Sequence, residues 1–284
     1  MTPPPPLPAI ILDPIVRLAL AEDLGRAGDI TTASTIPPGL EMRCAIRARE
    51  AGVLAGLDAA HHALKLVDDS VMFDVLIGDG GAIEPGDTIA TLDGPAASIL
   101  TAERVMLNFL GRLSGIASLT RRYVQAVAHT DAKIVCTRKT TPGLRALEKR
   151  AVLCGGGSSH RYGLDDAVLI KDNHIAACGG VARAIERAQA SLGHLRMLEV
   201  EVDTLDQLRE ALPLKPHVVL LDNMNPETLR DAVALISGQC LAEASGGVNL
   251  STVADIAETG VDVISVGALT HSARTLDLGL DVVG

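Results

Sequence analysis

The stretch that decides the fold runs from Leu198 to Ser245 and reads LEVEVDTLDQLREALPLKPHVVLLDNMNPETLRDAVALISGQCLAEAS. It holds three short β-rich runs, LEVEV, HVVLLDN and CLAEAS, and two segments between them with helical spacing of apolar residues. Thr204 opens the first of these segments, and Pro226 with Glu227 opens the second, as good helix starts do. Strands that alternate with helices at this spacing predict βαβ units and a parallel sheet.

The same pattern extends on both sides of this stretch. Further β-rich runs are AKIVCTR from residue 132, AVLIKD from residue 167 and DVISVG from residue 262. Helical patterns lie between them, at residues 176–192 and 250–260. Six such units either close into a barrel or form an open, doubly wound sheet, and periodicity does not decide between the two.

The first part of the chain has a different character. A proline-rich lead-in at residues 1–12 precedes a short amphipathic helix predicted from Asp13. Residues 41–101 contain short β-prone runs and one helical segment, DAAHHALKLV, which predict a small α+β unit with an antiparallel sheet. A long helix follows, with Thr101 as its predicted N-cap. We therefore expect an N-terminal domain at residues 13–115 and an α/β domain at residues 116–269, with 270–284 packing back on the first.

Composition excludes several classes of protein. The 284 residues carry a formal net charge of -10, with two Phe, two Tyr and no Trp. Because single-strand binders need aromatic stacking platforms and duplex binders a basic face, a nucleic-acid partner is not expected. No apolar run is long enough to span a membrane. The five cysteines form no CxxC pair, which argues against a zinc site and a disulfide framework, and we expect a cytoplasmic location.

Polar residues stand at the carboxyl end of every predicted parallel strand, the edge at which active sites form in parallel α/β folds. We therefore predict a site at this edge. In chain order the strand ends carry Arg138 and Lys139, Lys171 and Asp172, Glu199 and Glu201, Asp222 and Asn223, Glu243 and Ser245, and Gly267.

The chemistry of these ends suggests an anionic ligand and a cation. The segment from Thr137 to His174 is rich in basic residues, which suit a ligand with several carboxylates or phosphates. Glu201 and Asp222 offer oxygen ligands of the kind that Mg²⁺ prefers. The turns ASGGV and SVGA offer backbone N–H groups to a phosphate. Motifs for a nucleotide triphosphatase, a dinucleotide-binding fold and an α/β-hydrolase are absent.

Several motifs together resemble the quinolinate phosphoribosyltransferase family. They are TRKTTPGLRALEKRAV, GGGSSHRYGLDDAVLIKDNH, LEVEV, LLDNM, EASGGV and GVDVISVGALTHS, in this order, with EDLGRAGDITT, GVLAGL, GDGGAIEPGDTI and AERVMLNFLGRLSGIAS upstream. The resemblance implies an N-terminal α/β sandwich domain and a C-terminal six-stranded parallel α/β barrel. It also implies transfer of a phosphoribosyl group from phosphoribosyl pyrophosphate to quinolinate with loss of carbon dioxide, which yields nicotinate mononucleotide for NAD biosynthesis.

The resemblance also implies roles for matched residues. Those expected to bind quinolinate are Arg104, Thr137, Arg138, Lys139, His160, Arg161 and Lys171. Those expected to bind phosphoribosyl pyrophosphate are Lys139, Glu201, Asp222, Ser245, Gly246, Gly247, Gly267 and Ala268. Lys139, Lys171, Glu201 and Asp222 are expected to be catalytic, and the two carboxylates to hold Mg²⁺. The family further implies a homodimer, or a higher oligomer, in which Arg104 reaches the site of a neighbouring subunit.

Two other functions are compatible with parts of the pattern. A molybdenum-transport-associated paralogue shares the fold but lacks an intact KDNH, whereas residues 171–174 are complete here. A non-enzymatic anion-binding protein would need the basic pocket but not Glu201 and Asp222. Departures from the family pattern, at Cys136, Val105 and Gly111, concern packing more than charge.

Overall fold

The computed structural model describes residues 4–283. Its helices are α1 (Ala9–Leu24), α2 (Ile30–Thr35), α3 (Leu57–Val67), α4 (Ala96–Ala126), α5 (Arg145–Cys154), α6 (Asp172–Cys178), α7 (Val181–Ser191), α8 (Leu205–Ala211), α9 (Pro226–Ile236), α10 (Val253–Ala257) and α11 (Ala268–His271). Its strands are β1 (Glu41–Ala48), β2 (Gly52–Val53), β3 (Met72–Val75), β4 (Ala82–Ile83), β5 (Thr88–Pro95), β6 (Lys133–Val135), β7 (Val168–Ile170), β8 (Leu198–Val202), β9 (Val218–Asp222), β10 (Leu241–Ser245), β11 (Val263–Ser265) and β12 (Leu278–Val282). A 3₁₀ turn at Leu212–Leu214 follows α8.

The chain divides into two compact units. Within the described residues, the first unit takes the chain up to Arg121, the segment Thr140–Gly156 and the chain from Thr270 onward. The second unit comprises Arg122–Lys139 and Gly157–Leu269. None of the helices described is both long and apolar enough to cross a membrane.

The first unit is built on an antiparallel sheet of four strands in the order β12-β1-β5-β3. The C-terminal strand β12 pairs with β1 from Cys44↔Val282 to Ala48↔Leu278. Much of the two central strands is buried, and Ile46 of β1 and Leu92 of β5 have no exposed surface. The predicted antiparallel sheet of this domain is confirmed.

Two helices of the first unit begin earlier than predicted. α1 starts at Ala9 rather than Asp13, and its buried stripe consists of Leu12, Val16 and Leu20. The Asp13 carboxylate instead accepts a hydrogen bond from Arg17 Nε at 2.6 Å. α4 starts at Ala96, so Thr101 lies inside the helix and its hydroxyl donates to Asp29 Oδ2 at 3.2 Å.

The second unit is a sheet of six parallel strands in the order β6-β11-β10-β9-β8-β7. β6, the first of these strands in the chain, lies beside β11, the last. The strands from β7 to β11 are neighbours in chain order. In an open, doubly wound sheet the order of the strands reverses at a switch point, whereas in a barrel the strands follow one another in chain order. On its other side β6 forms a parallel bridge between Val135 and Ser158. The predicted six-stranded parallel fold is confirmed, with the strand order of a barrel.

Candidate active site

One face of the six-stranded sheet carries the polar strand ends. Register pairs place Glu201 beside Leu220 and Leu220 beside Glu243, and two residues further along the strands Asp222 lies beside Ser245. Paired residues of parallel strands point to the same face, and so do residues two apart on one strand. Glu199 and Glu201 of β8 therefore share the face with Asp222 and with Glu243 and Ser245 of β10. The register thus places these five side chains on one face of the sheet.

Two arginines of the second unit lie close enough to repel each other. Arg138 follows β6, and its Nε is buried without a hydrogen-bond partner among the residues described. Arg161 Nη1 donates to the Ala167 carbonyl at 3.1 Å. Burial lowers the pKa of the Arg161 guanidinium, and the positive charge of Arg138 lowers it further, against the opposing charge of Glu199. Two such guanidinium groups form a site suited to a carboxylate or phosphate anion.

Lys171 is held at the end of β7 by two contacts. Its ammonium group forms a close ion pair with Glu201 of the neighbouring strand β8, and 46% of the lysine side chain remains exposed. Its backbone N–H donates to His174 Nδ1 at 2.9 Å. The histidine of the KDNH motif therefore fixes the turn from β7 into α6. The sequence pattern had predicted no role for His174.

His160 lies between two buried glutamates of different strands. Its Nε2 is 3.1 Å from Glu199 Oε2 on β8 and 3.4 Å from Glu243 Oε1 on β10. Burial alone would lower the pKa of His160, but the contacts with these carboxylates and their charges outweigh it and raise the pKa to about 10. Burial also raises the pKa of Glu199; the hydrogen bond from His160 opposes this, and the charge of Glu243 adds to it. Both glutamates stand at predicted strand ends, but the sequence pattern predicted no role for them.

The turn after β10 approaches the turn after β9. The Asn223 backbone N–H donates to the Ser245 carbonyl at 2.9 Å. Gly246 has a φ of +90°, and a Cβ built on it would lie 2.1 Å from Asn223 Oδ1. Only glycine fits there, since both the left-handed backbone and the close approach exclude a side chain. The Asn223 amide also donates to Asp222 Oδ2 at 2.5 Å, which orients that carboxylate.

The carboxylates of Glu201 and Asp222 are suitable ligands for Mg²⁺. Both offer carboxylate oxygens from neighbouring strands on one face, and Mg²⁺ prefers one or two carboxylates together with waters and substrate phosphates. Glu201 already has a cationic partner in Lys171, so a metal would share this carboxylate with the lysine. Within the described part of the chain, the only group of three or more metal-ligating side chains is His160, Glu199 and Glu243.

Not all of the basic residues between Thr137 and His174 belong to this site. Arg145, Lys149 and Arg150 lie in Thr140–Gly156, a segment that belongs to the first unit. Arg150 is buried there, with Nη1 2.5 Å from Asp79 and Nε 3.4 Å from Asp58. The expectation that the whole stretch serves an anion is therefore wrong for Arg150, whose charge is neutralised by aspartates. Arg104 also lies in the first unit, on α4, with an exposed side chain.

Known proteins are similar to this chain over most of its length. Residues 29–114 match the family model of the quinolinate phosphoribosyl transferase N-terminal domain, and residues 116–281 that of the C-terminal domain. The chain is 46% identical over 272 residues to the nicotinate-nucleotide pyrophosphorylase (carboxylating) of Mycobacterium leprae, which covers 94% of this chain and 95% of the relative. It is 44% identical over 263 residues to a probable enzyme of the same name from Bacillus subtilis, covering 92% and 90%.

A solved structure shows the same fold. The nicotinate-nucleotide pyrophosphorylase of Francisella tularensis superimposes with a TM-score of 0.93 at 39% identity, over 98% of each chain.

Proposed function

Because this chain belongs to the quinolinate phosphoribosyltransferase family, its reaction is the decarboxylating transfer of a phosphoribosyl group to quinolinate, and we propose that the strand ends of the six-stranded sheet carry it out. Phosphoribosyl pyrophosphate supplies the sugar, and the products are nicotinate mononucleotide, pyrophosphate and carbon dioxide. The observation that carries the proposed site is the pair of adjacent guanidinium groups, of which Arg138 has a buried and unpartnered Nε.

The dicarboxylate half of the site is formed by cations of the second unit. Arg138 and Arg161 bind the two adjacent carboxylates of quinolinate, because planar guanidinium groups match carboxylates in a bidentate way. His160 adds a positive charge between the strands, and Thr137 a hydroxyl at the end of β6. We assign Lys171 to quinolinate and Lys139 to contacts with both substrates. The ring is thereby held with its nitrogen toward the sugar.

The sugar and metal half is formed by β8 and β9. Glu201 and Asp222 accept hydrogen bonds from the ribose hydroxyls and would hold Mg²⁺. When bound, the metal neutralises charge on the pyrophosphate as it leaves. Backbone N–H groups of Gly246, Gly247, Gly267 and Ala268, with the hydroxyl of Ser245, bind the 5′-phosphate. The tight turn at Gly246 supports this role, because it brings backbone rather than side chain to the surface.

The chemistry requires positioning more than covalent catalysis. The ring nitrogen attacks the anomeric carbon as the bond to pyrophosphate breaks, and preorganised charges stabilise the oxocarbenium character of the sugar. The nitrogen then carries a positive charge. When the adjacent carboxylate leaves as carbon dioxide, its bonding electrons are stabilised by that charge until a proton is taken up at the ring carbon.

The assembly and location follow the family expectation. We propose a homodimer in which Arg104 enters the site of the partner subunit, and we propose that the enzyme is cytoplasmic. The molybdenum-transport-associated alternative receives no support from these relatives, which are named nicotinate-nucleotide pyrophosphorylase (carboxylating).

The activity is tested by incubating the purified protein with quinolinate, phosphoribosyl pyrophosphate and Mg²⁺, and separating the products by chromatography. We expect nicotinate mononucleotide and carbon dioxide in equal amounts. Chelation with EDTA should stop turnover, and added Mg²⁺ should restore it. Nicotinate in place of quinolinate is the control, because it lacks the second carboxylate. Failure to form the mononucleotide from quinolinate would overturn the proposed function.

A further inference from the structure

The ring of His160 is fixed by groups from two strands that are not neighbours. Glu199 lies on β8 and Glu243 on β10, with β9 between them, yet both carboxylates reach the same nitrogen, at 3.1 and 3.4 Å. The side chains of His160, Glu199 and Glu243 are 14%, 8% and 4% exposed. Because an ionised carboxylate only accepts hydrogen bonds, Nε2 must carry a proton. The two glutamates therefore keep Nε2 protonated and determine the direction of the ring.

The charges of this cluster favour a positively charged ring. Two buried carboxylates repel each other, and a neutral imidazole would leave both charges without compensation. Glu199 Oε1 has no hydrogen-bond partner within the described residues, and Glu243 Oε1 has none there besides its 3.4 Å contact with His160 Nε2. Arg161 is the other cation that acts on Glu199, and Arg138 acts in turn on Arg161. The pKa of His160, raised to about 10, agrees with the geometry.

We propose that Glu199 and Glu243 are positioning residues, which hold His160 as an oriented cation for the carboxylates of quinolinate. This inference rests on the proposed function, since it takes quinolinate as the ligand of His160. The glutamates act through the histidine and do not touch the substrate. A site for a divalent cation is the competing interpretation, because the ligand atoms of the three side chains lie within 4.8 Å of one another. The two are exclusive, since Nε2 cannot both carry a proton and bind a metal.

The charge of His160 is measured first, without reference to activity. In protein labelled with ¹⁵N-histidine, the His160 signal is assigned by comparison with His160→Asn, and the ring is titrated by NMR. We expect His160 to remain protonated at pH 8.5, with a pKa near 10. A neutral ring at pH 8.5 in the wild-type protein would overturn the inference, as would a stoichiometric metal on the protein after dialysis against a weak chelator.

Kinetics then test whether the glutamates act through His160. Glu243→Gln and Glu199→Gln keep the volume of each side chain and remove its charge. At pH 8.5 we expect each to raise the KM for quinolinate about tenfold and to leave the KM for phosphoribosyl pyrophosphate unchanged. At pH 6 the effect should shrink, because an imidazole with less carboxylate support is still protonated below its ordinary pKa of about 6.5. Equal effects at both pH values would contradict a role through the charge of His160.

A double-mutant cycle completes the test. In the His160→Asn background, Glu243→Gln should have no further effect on the quinolinate KM, whereas additive effects would show that the glutamate acts independently of His160. The matched control is Glu258→Gln, which removes a glutamate 3.1 Å from His129 where both side chains are more than half exposed. This variant should leave KM unchanged. If the wild-type protein lacks activity, the proposed function fails, while the NMR titration still decides the charge of the ring.

Discussion

At the residue scale, the character of the anion site depends on the shape of the cations and not only on their charge. Arg138 presents a guanidinium group whose Nε is buried and unpartnered within the described chain, and Arg161 lies beside it with one nitrogen already bonded to a carbonyl. Two guanidinium groups that repel each other are stabilised when a dianion enters between them. A planar fork also orients a carboxylate, whereas an ammonium group acts as a point charge.

We therefore expect Arg138→Lys to weaken quinolinate binding although the charge is kept. The lysine cannot supply the second parallel hydrogen bond to the carboxylate, so the KM for quinolinate should rise about 10- to 100-fold, with a small change in the KM for phosphoribosyl pyrophosphate. Steady-state kinetics with each substrate varied in turn measures this difference. Arg230→Lys, on the exposed surface of α9, is the control. An unchanged quinolinate KM in Arg138→Lys would remove Arg138 from the dicarboxylate site.

At the element scale, buried charges also anchor helices. Glu148 of α5 has no exposed surface, and its Oε1 lies 2.8 Å from Arg112 Nη2 of α4. The same carboxylate accepts hydrogen bonds from the Thr141 backbone N–H at 3.0 Å and the Thr141 hydroxyl at 2.7 Å. One side chain thus joins two helices and the loop before α5. The cost of burying it is offset only while all these partners are present.

We expect Glu148→Gln to destabilise the protein by about 3 kcal/mol, because it removes the fully buried counter-charge of the Arg112 guanidinium, whose own side chain is only 25% exposed. Urea unfolding followed by circular dichroism at 222 nm gives the free energy of unfolding. Arg17→Gln breaks an ion pair in which the arginine is 61% exposed, and this change should cost less than about 0.5 kcal/mol. A similar loss in both variants would show that burial does not determine the strength of the Arg112 and Glu148 pair.

The sequence predicts the strands of the second unit but not which side chains meet. Apolar periodicity located the six parallel strands, and the polar residue at each strand end followed directly from it. Which cations share a site depends on tertiary structure: Arg150 stands 12 positions after Arg138 in the sequence but pairs with Asp58 and Asp79, far earlier in the chain. The pairing of β12 with β1 joins residues more than 200 positions apart. The contact of Glu199 and Glu243 with one imidazole joins β8, β10 and the segment before β7, a tertiary arrangement that periodicity does not describe.

At the scale of the whole molecule, a net charge of -10 is combined with a site that is locally basic. Cations of the second unit account for most of the proposed dicarboxylate site, and Arg104 on α4 of the first unit is the exception. If Arg104 serves the partner subunit, each site of a dimer takes residues from two chains. Symmetry then makes the two sites equivalent, because the same interface is used twice.

Subunit mixing tests this arrangement. Arg104→Ala and Lys171→Ala subunits, each inactive alone, are co-expressed with different tags. In a mixed dimer one site then receives both defects and the other receives neither. Random pairing makes half of the dimers mixed, so about a quarter of wild-type activity should return. Arg138→Ala mixed with Lys171→Ala is the control: both residues belong to the second unit, every site of the mixed dimer keeps one defect, and no activity should return. If Arg104→Ala mixtures behave like this control, Arg104 serves its own chain.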